Sequence, residues 1–288
     1  VIERLVIIGV GLIGGSFALA LRQAGQVRHI VGVGRSSANL REALKLGVID
    51  AVADSAGAAV GGADLVLLAL PVGSMPGVLR EIAPHLPEGC LITDAGSTKQ
   101  DVVAAARAAL DGALGRFVPG HPIAGAEHSG VMAARADLYQ GRQVVLTPLA
   151  ENSPAAIERV AALWRACGAE VAQMSPETHD RIFAAVSHLP HLAAFALVDD
   201  LAGRSEADTY FRYAGGGFRD FTRIAASHPE MWRDIALANR EALLAELDAY
   251  IAELELIRGL LARGDAAGLE AIFQRASQVR KDWKPNPS

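Results

Sequence analysis

Up to about residue 174 the apolar residues gather into short unbroken runs, and beyond that point they recur at helical spacing. The runs at 4–9, 29–33, 64–70, 90–94, 116–119, 144–147 and 170–174 are too short for typical helices and are separated by helix-like stretches or loops. Unbroken apolar runs suit strands buried on both faces. Strands alternating with helices predict an α/β fold built on a mostly parallel, doubly wound sheet. From about Ser175 no strand pattern remains, so the chain divides into an α/β domain, 1–173, and an all-helical domain, 174–288. A length of 288 residues agrees with two domains, because single cores stop growing near that size. In the helical part Leu237, Leu244, Leu247, Ile251, Leu254 and Leu261 follow a three/four spacing, and Leu243, Tyr250 and Ile257 add a neighbouring row. A stripe that wide has to be covered. Packing within the helical bundle is expected to cover most of it, and a subunit interface the rest, which predicts a homodimer.

Composition narrows the class. With 51% hydrophobic and 20% charged residues the chain is neither disordered nor collagen-like. The net charge is −5 and the basic residues are scattered as singles or pairs, which leaves no footprint for a nucleic-acid partner. No apolar run approaches the roughly 18 residues of a spanning helix, so no membrane partner is expected. Cys90 and Cys167 lie in apolar surroundings without CxxC spacing, as small core residues of a reducing compartment. With no visible signal peptide, a cytoplasmic protein is expected.

The first run opens into Gly9-Val-Gly11-Leu12-Ile13-Gly14 and then a helical pattern to Leu21. A GxGxxG turn between strand and helix is a dinucleotide-binding signature. The first glycine makes the tight turn, the second admits a pyrophosphate, the third lets helix pack on strand, and the helix N-terminus faces the phosphates. Gly9, Gly11, Leu12, Ile13 and Gly14 are therefore cofactor-binding candidates, with Leu70 and Pro71 at the end of the third run. An acid after the second strand would bond a ribose 2′-hydroxyl. Here the strand runs into Gly34-Arg35-Ser36-Ser37. Arg35 and Ser36 suit a 2′-phosphate, so NADP is favoured over NAD, the alternative being that Arg35 is a solvated loop residue.

Two polar segments follow the next strands, Asp94-Ala-Gly-Ser97-Thr-Lys99 and Gly120-His121-Pro-Ile-Ala-Gly125-Ala-Glu127. Loops at the carboxyl ends of parallel strands line the ligand crevice. His121 there suits the removal of a hydroxyl proton while hydride leaves the attached carbon, with Ser97 orienting the imidazole or the hydroxyl. A histidine that only satisfies loop backbone is the plain alternative.

GxGLIGGS, DAGSTK, GHPIAGAEHSG, the His-Asp pair near 179, SHLPH at 187–191, GGGFRDFTRIA at 215–225 and the following MWRDI together resemble the prephenate/arogenate (cyclohexadienyl) dehydrogenase family of tyrosine biosynthesis, in the family's order and over nearly the whole chain. The resemblance implies oxidative decarboxylation of prephenate to 4-hydroxyphenylpyruvate, or of arogenate to tyrosine, with reduction of NAD(P) on a Rossmann-type domain. It implies His121 as catalytic base and Ser97 as its hydrogen-bonding partner. It also implies a substrate site of Arg223 on a carboxylate, His188 and His191 lining the pocket, Glu127 gating it and Trp232 closing it. Trp164 reads as core. A metal held by His188 and His191 is the competing idea, with no third ligand at a convincing spacing. The chain departs from the family's commoner pattern in having Gly34 where many members carry an acid. It also ends soon after the helical part, so no regulatory ACT domain or fused chorismate mutase is expected. Two other functions remain in view. A β-hydroxyacid-type dehydrogenase would carry a GxxxK lysine where this chain has SHLPH, and an NADP-sensing binding protein would need neither His121 nor Ser97.

Overall fold

The computed structural model describes residues 1–126 and 128–284. β1 (Ile2–Ile8), β2 (Val27–Val33), β3 (Ala51–Val52), β4 (Leu65–Leu68), β5 (Leu91–Asp94) and β6 (Phe117–Val118) make one parallel sheet, ordered β3-β2-β1-β4-β5-β6. β1 is central and runs in register with β4 from Leu5 opposite Leu65 to Ile8 opposite Leu68. Every residue of β4 is buried, as its uninterrupted Leu-Val-Leu-Leu requires of a strand covered on both faces. The strand order reverses between β1 and β4. In such Rossmann-type sheets the crevice outside that switch point receives the ligand.

The last three strands form a separate sheet. β7 (Gly120–Pro122) pairs antiparallel with β8 (Gln143–Leu146), which pairs parallel with β9 (Glu170–Gln173). The sequence pattern placed β8 and β9 in the one doubly wound sheet and left 120–122 as loop. Gly-His-Pro carries no strand signal of its own, and its extension is imposed by pairing, with His121 opposite Val145. β3 was equally invisible, being only two residues long.

The core that supports the sheet is aromatic at its centre. Trp164, on the helix Pro154–Ala166, lies 4.5 Å from Phe17 and 5.2 Å from Tyr139 between ring centroids, and all three are fully buried. The Tyr139 hydroxyl donates to the Ile13 carbonyl at 2.6 Å, tying this cluster to the first turn of the helix Leu12–Gln23.

From Pro176 the described chain is helical. Internal contacts divide the chain into one unit of Val1–Asp180 with Ser227–Asn239, and a second of Arg181–Ala226 with the chain from Arg240. By these contacts the first unit runs on to Asp180, and the helix Pro229–Ala238 groups with it. Its place comes from close approach. It packs against the turn Val72–Ser74 after β4, where a side chain on Gly73 would stand 2.6 Å from Asp234 Oδ2. The leucine stripe is also not one helix, because Leu237 sits on Pro229–Ala238 and the rest on Arg240–Arg263. Leu243 is buried, whereas Leu237, Leu244, Ile251, Leu254 and Leu261 are between 45% and 64% exposed. Packing within the chain therefore does not cover most of the stripe, contrary to expectation.

The helical run Pro176–Ala202 is 27 residues long and apolar enough, by length and composition alone, to cross a membrane. Counting unbroken apolar residues missed it because polar residues interrupt the run. It carries buried polar side chains, His179, Asp180 and His188, and only 22% of its most apolar window is buried.

Trp164→Ala should lower the unfolding free energy by about 3–5 kcal/mol, since no neighbour can refill a void of that size. Urea unfolding followed by circular dichroism measures this, and a loss below about 1 kcal/mol would remove Trp164 from the centre of the core.

Candidate active site

The glycine-rich turn fits a dinucleotide pyrophosphate. Gly9 has φ +102°, and a Cβ there would lie 2.1 Å from the Ala69 carbonyl oxygen, so only glycine can make the turn beside β4. A Cβ on Gly14 would lie 2.3 Å from Gly9 O, which makes it the helix–strand contact. Around Gly11 nothing lies within 4 Å of a Cβ, leaving the open space a phosphate needs. Gly11 caps the helix Leu12–Gln23 without a side-chain acceptor, so the first-turn N–H groups of the Leu12 and Ile13 segment face outward for an anion. Asn39 Nδ2 donates to Val10 O at 2.6 Å and fastens the turn from the side. Leu70 borders it, 3.2 Å from a Cβ at Gly9, and Pro71 opens the turn Val72–Ser74. Gly34, Arg35 and Ser36 are exposed after β2. Ser36 Oγ accepts from Asn39 N at 3.2 Å and caps the helix Ser37–Lys45, so its hydroxyl hydrogen alone is left to donate elsewhere.

At the carboxyl end of β5 stands a pair of charges wholly removed from solvent, Asp94 and Lys99. The Lys99 ammonium binds Asp94 Oδ2 and donates to the Gly120 carbonyl at 2.7 Å. Asp94 Oδ1 accepts the Gly120 N–H at 3.0 Å, and Oδ2 accepts Gly96 N–H at 2.8 Å. Both polar groups of Gly120 are thereby held, and the next residue is His121. A buried ion pair is tolerated when further hydrogen bonds satisfy its remaining atoms, and here the backbone supplies them.

His121 Nδ1 lies 2.8 Å from His179 Nε2, and His179 Nδ1 lies 2.8 Å from Asp180 Oδ1. The Asp180 carboxylate also accepts the Lys99 N–H at 2.8 Å and the Gln100 N–H at 2.9 Å, at the start of the helix Gln100–Ala109. Burial alone would raise the Asp180 carboxyl, but the bonds from His179, Gln100 and Lys99 outweigh it and hold the group below the usual carboxylate range. His179 is pushed below the ordinary imidazole range, first by burial and also by the Lys99 charge, against the bond to Asp180. Asn239 Nδ2 donates to Asp180 O at 2.8 Å and fixes the backbone at the end of the chain of side chains. The sequence reading named the His-Asp pair only as part of a resemblance. Its position at the start of a helix gave no sign that it would reach His121.

The other expected site residues are placed as follows. Ser97 is half-buried on the segment after β5, the same segment that leads to Lys99. Glu127 lies outside the described residues. Trp232 is buried on the helix Pro229–Ala238, within the nucleotide-binding unit and not with the helical one. In the second unit His188 is buried at the end of a π-turn, Ala184–His188, and His191 is half-buried one turn on with Nδ1 donating to Ser187 O at 2.9 Å. Arg223 is exposed. Burial, followed by the Arg223 charge, lowers His191 against its bond to Ser187, so guanidinium and imidazole are electrostatic neighbours. Among the described residues no three His, Cys, Asp or Glu gather as metal ligands would.

Lys99→Met should destabilise the protein by about 3–5 kcal/mol by stranding the Asp94 charge in the interior. Equilibrium unfolding reads the difference, and a neutral effect would mean that the Lys99–Asp94 pair does not hold this part of the fold together.

Comparison with known proteins assigns a family over nearly the whole chain. Residues 17–173 match the nucleotide-binding domain of prephenate dehydrogenase, and residues 175–275 match its dimerization domain. The chain is 40% identical over 280 residues to prephenate dehydrogenase of Bacillus subtilis, covering 96% of this chain and 75% of that one. It is 38% identical to cyclohexadienyl dehydrogenase of Zymomonas mobilis, covering 97% and 96%. The solved structure of Aquifex aeolicus prephenate dehydrogenase, in complex with hydroxyphenyl propionate and NAD+, superposes with a TM-score of 0.90 at 38% identity and covers 97% of this chain and 98% of that one. With both domains matched in order, the first on a Rossmann-type sheet and the second on the helices that follow it, the chain belongs to the prephenate dehydrogenase family, the oxidoreductases that decarboxylate prephenate or arogenate in tyrosine biosynthesis.

Proposed function

We propose that this protein oxidatively decarboxylates prephenate, arogenate or both, with His121 as the base and NADP as the preferred acceptor. The observation that carries the reading is the His121 imidazole, tied to His179 and set on a peptide gripped by Asp94 and Lys99. A proton acceptor fixed in that way is more than a nucleotide-sensing protein needs. The turn Gly9, Gly11, Leu12, Ile13 and Gly14, with Leu70 and Pro71 beside it, would hold the dinucleotide, whose nicotinamide would supply the hydride acceptor. As hydride leaves the ring carbon that bears the hydroxyl, His121 takes the hydroxyl proton and the oxygen becomes a ring carbonyl. The bond from the ring to the carboxylate then breaks. Its electron pair flows through the ring to that oxygen, carbon dioxide leaves, and the imidazolium can return its proton to the new phenolate. Ser97 would bond the substrate hydroxyl, and Arg223 would pair with a substrate carboxylate, with His188 and His191 beside it.

The preference for NADP rests on Arg35 and Ser36 after β2 and on Gly34 in place of an acid. The Aquifex aeolicus relative was solved with NAD+, so the preference is ascribed to this chain's own segment. The homodimer rests on the match to the dimerization domain and on the uncovered Leu244, Ile251, Leu254 and Leu261, joined by Phe273 on the helix Ala266–Asp282.

His121→Asn should lower kcat by about 10²–10⁴-fold and leave KM for cofactor and substrate within a few fold. Steady-state assays at 340 nm with prephenate and with arogenate test it, and near-normal turnover would take His121 out of the mechanism. The same assay should show kcat/KM for NADP at least about tenfold above NAD, equivalent to roughly 1.4 kcal/mol. Gly34→Asp combined with Arg35→Ser should reverse the order, and the fold tolerates the first change because a Cβ at Gly34 meets nothing closer than Leu40 at 3.6 Å. Equal or better use of NAD by the unmodified enzyme would make Arg35 an ordinary surface residue. Sedimentation at micromolar concentration should report about twice the 30.1 kDa chain mass, and a monomer would leave the leucine face without its partner.

A further inference from the structure

The chain Asp180–His179–His121 decides which nitrogen of His121 can act as a base. An ionised carboxylate only accepts hydrogen bonds, and Asp180 already accepts two backbone N–H groups, so the hydrogen between it and His179 must sit on His179 Nδ1. A neutral His179 then has a lone pair on Nε2. That nitrogen lies 2.8 Å from His121 Nδ1, which must therefore carry the hydrogen and donate it. His121 Nε2 is left with the lone pair. We propose that His179 and Asp180 are positioning residues of the reaction, which lock His121 as the Nδ1–H tautomer and so present Nε2 as the proton acceptor.

The alternative assignment requires a doubly protonated His179, with Nε2–H pointing at His121. The groups that act on His179 oppose it in sum. Burial and the Lys99 ammonium disfavour a cation there, and together they prevail over the attraction of Asp180 and Asp94. The 2.8 Å separation of the two nitrogens leaves room for one hydrogen between the rings, so His179 Nε2 and His121 Nδ1 cannot both carry one. When His121 takes the substrate proton, its Nδ1–H already points at an acceptor backed by a carboxylate. The developing imidazolium is thus met by a dipole set in place before the reaction. The inference rests on the reading of His121 as the base, but the tautomer can be read without any turnover.

The test joins spectroscopy of the free enzyme with kinetics. Long-range ¹H–¹⁵N spectra of the full chain labelled in histidine should show His121 protonated on Nδ1 and bare on Nε2. Asp180→Asn replaces an obligate acceptor by a group that can donate to His179 Nδ1. The hydrogens along the chain should then reverse, so that His121 carries its hydrogen on Nε2. The expected kinetic signature is a fall in kcat of about 10³–10⁴-fold, the size seen where an orienting carboxylate is neutralised in a comparable triad, with KM for prephenate within a few fold. Asp180 also caps the helix Gln100–Ala109, so a second pair of variants guards against misfolding. His179→Leu should lose at least about 10²-fold in kcat. His179→Gln, whose amide can donate to Asp180 and accept from His121, should recover at least tenfold of that loss. Nε2–H in the wild-type spectrum, kcat within a few fold of wild type in Asp180→Asn, or equal rates for His179→Leu and His179→Gln would each overturn the proposal. A spectrum as expected, together with an active His121→Asn enzyme, would instead retain the tautomer lock and reject His121 as the base.

Discussion

A lysine ammonium cannot be withdrawn from water without an opposite charge and a full set of hydrogen bonds, and the arrangement of this site follows from how Lys99 meets that condition. Its counter-charge is Asp94, the last residue of β5, and its second acceptor is the carbonyl of Gly120. Asp94 in turn takes the Gly120 N–H, so a strand end of the main sheet is fastened to the first residue of the smaller one. The pair does not earn its place through stability alone, since well-packed apolar residues could fill the same volume at least as favourably. What it provides is position. It fixes the peptide that carries His121 at the carboxyl edge of the sheet, the edge at which the glycine-rich turn and Leu70-Pro71 also end.

From the other side His121 is held through its ring. Asp180 draws its ionisation from two N–H groups at a helix start, and His179 passes that polarity to His121 Nδ1. Backbone and side chain of one residue are thus fixed by two buried carboxylates, Asp94 and Asp180, each neutralised by different means. One is paired with an ammonium, and the other sits on backbone donors and an imidazole. Dehydrogenation of an alcohol that also expels carbon dioxide needs little else from the protein at the reacting carbon, because the aromatising ring takes up the electron pair.

The strands of the main sheet other than the two-residue β3 were legible as short apolar runs, and the nucleotide turn because only glycine tolerates Gly9's conformation and Gly14's contact. β7 was not legible, since Gly120-His121-Pro122 is extended by its partner β8 and not by its own preference. Nor could periodicity show that the helix Pro229–Ala238 returns to the first unit, because a helix pattern specifies which face is buried and not against what. His121 could be found from its place after a strand. His179 and Asp180, about 60 residues later, could not be joined to it by spacing. The leucine stripe was read as a face that the chain mostly covers by itself, and the chain leaves most of it exposed.

The most direct test of this account is a crystal structure of the enzyme with NADP and the product analogue hydroxyphenyl propionate. The account predicts the phenolic oxygen at about 2.6–3.2 Å from His121 Nε2, with Nδ1 still on His179 and the Gly120 peptide still gripped by Asp94 and Lys99. A phenolic oxygen held by another side chain, or a His121 ring turned to offer Nδ1 to the ligand, would contradict it.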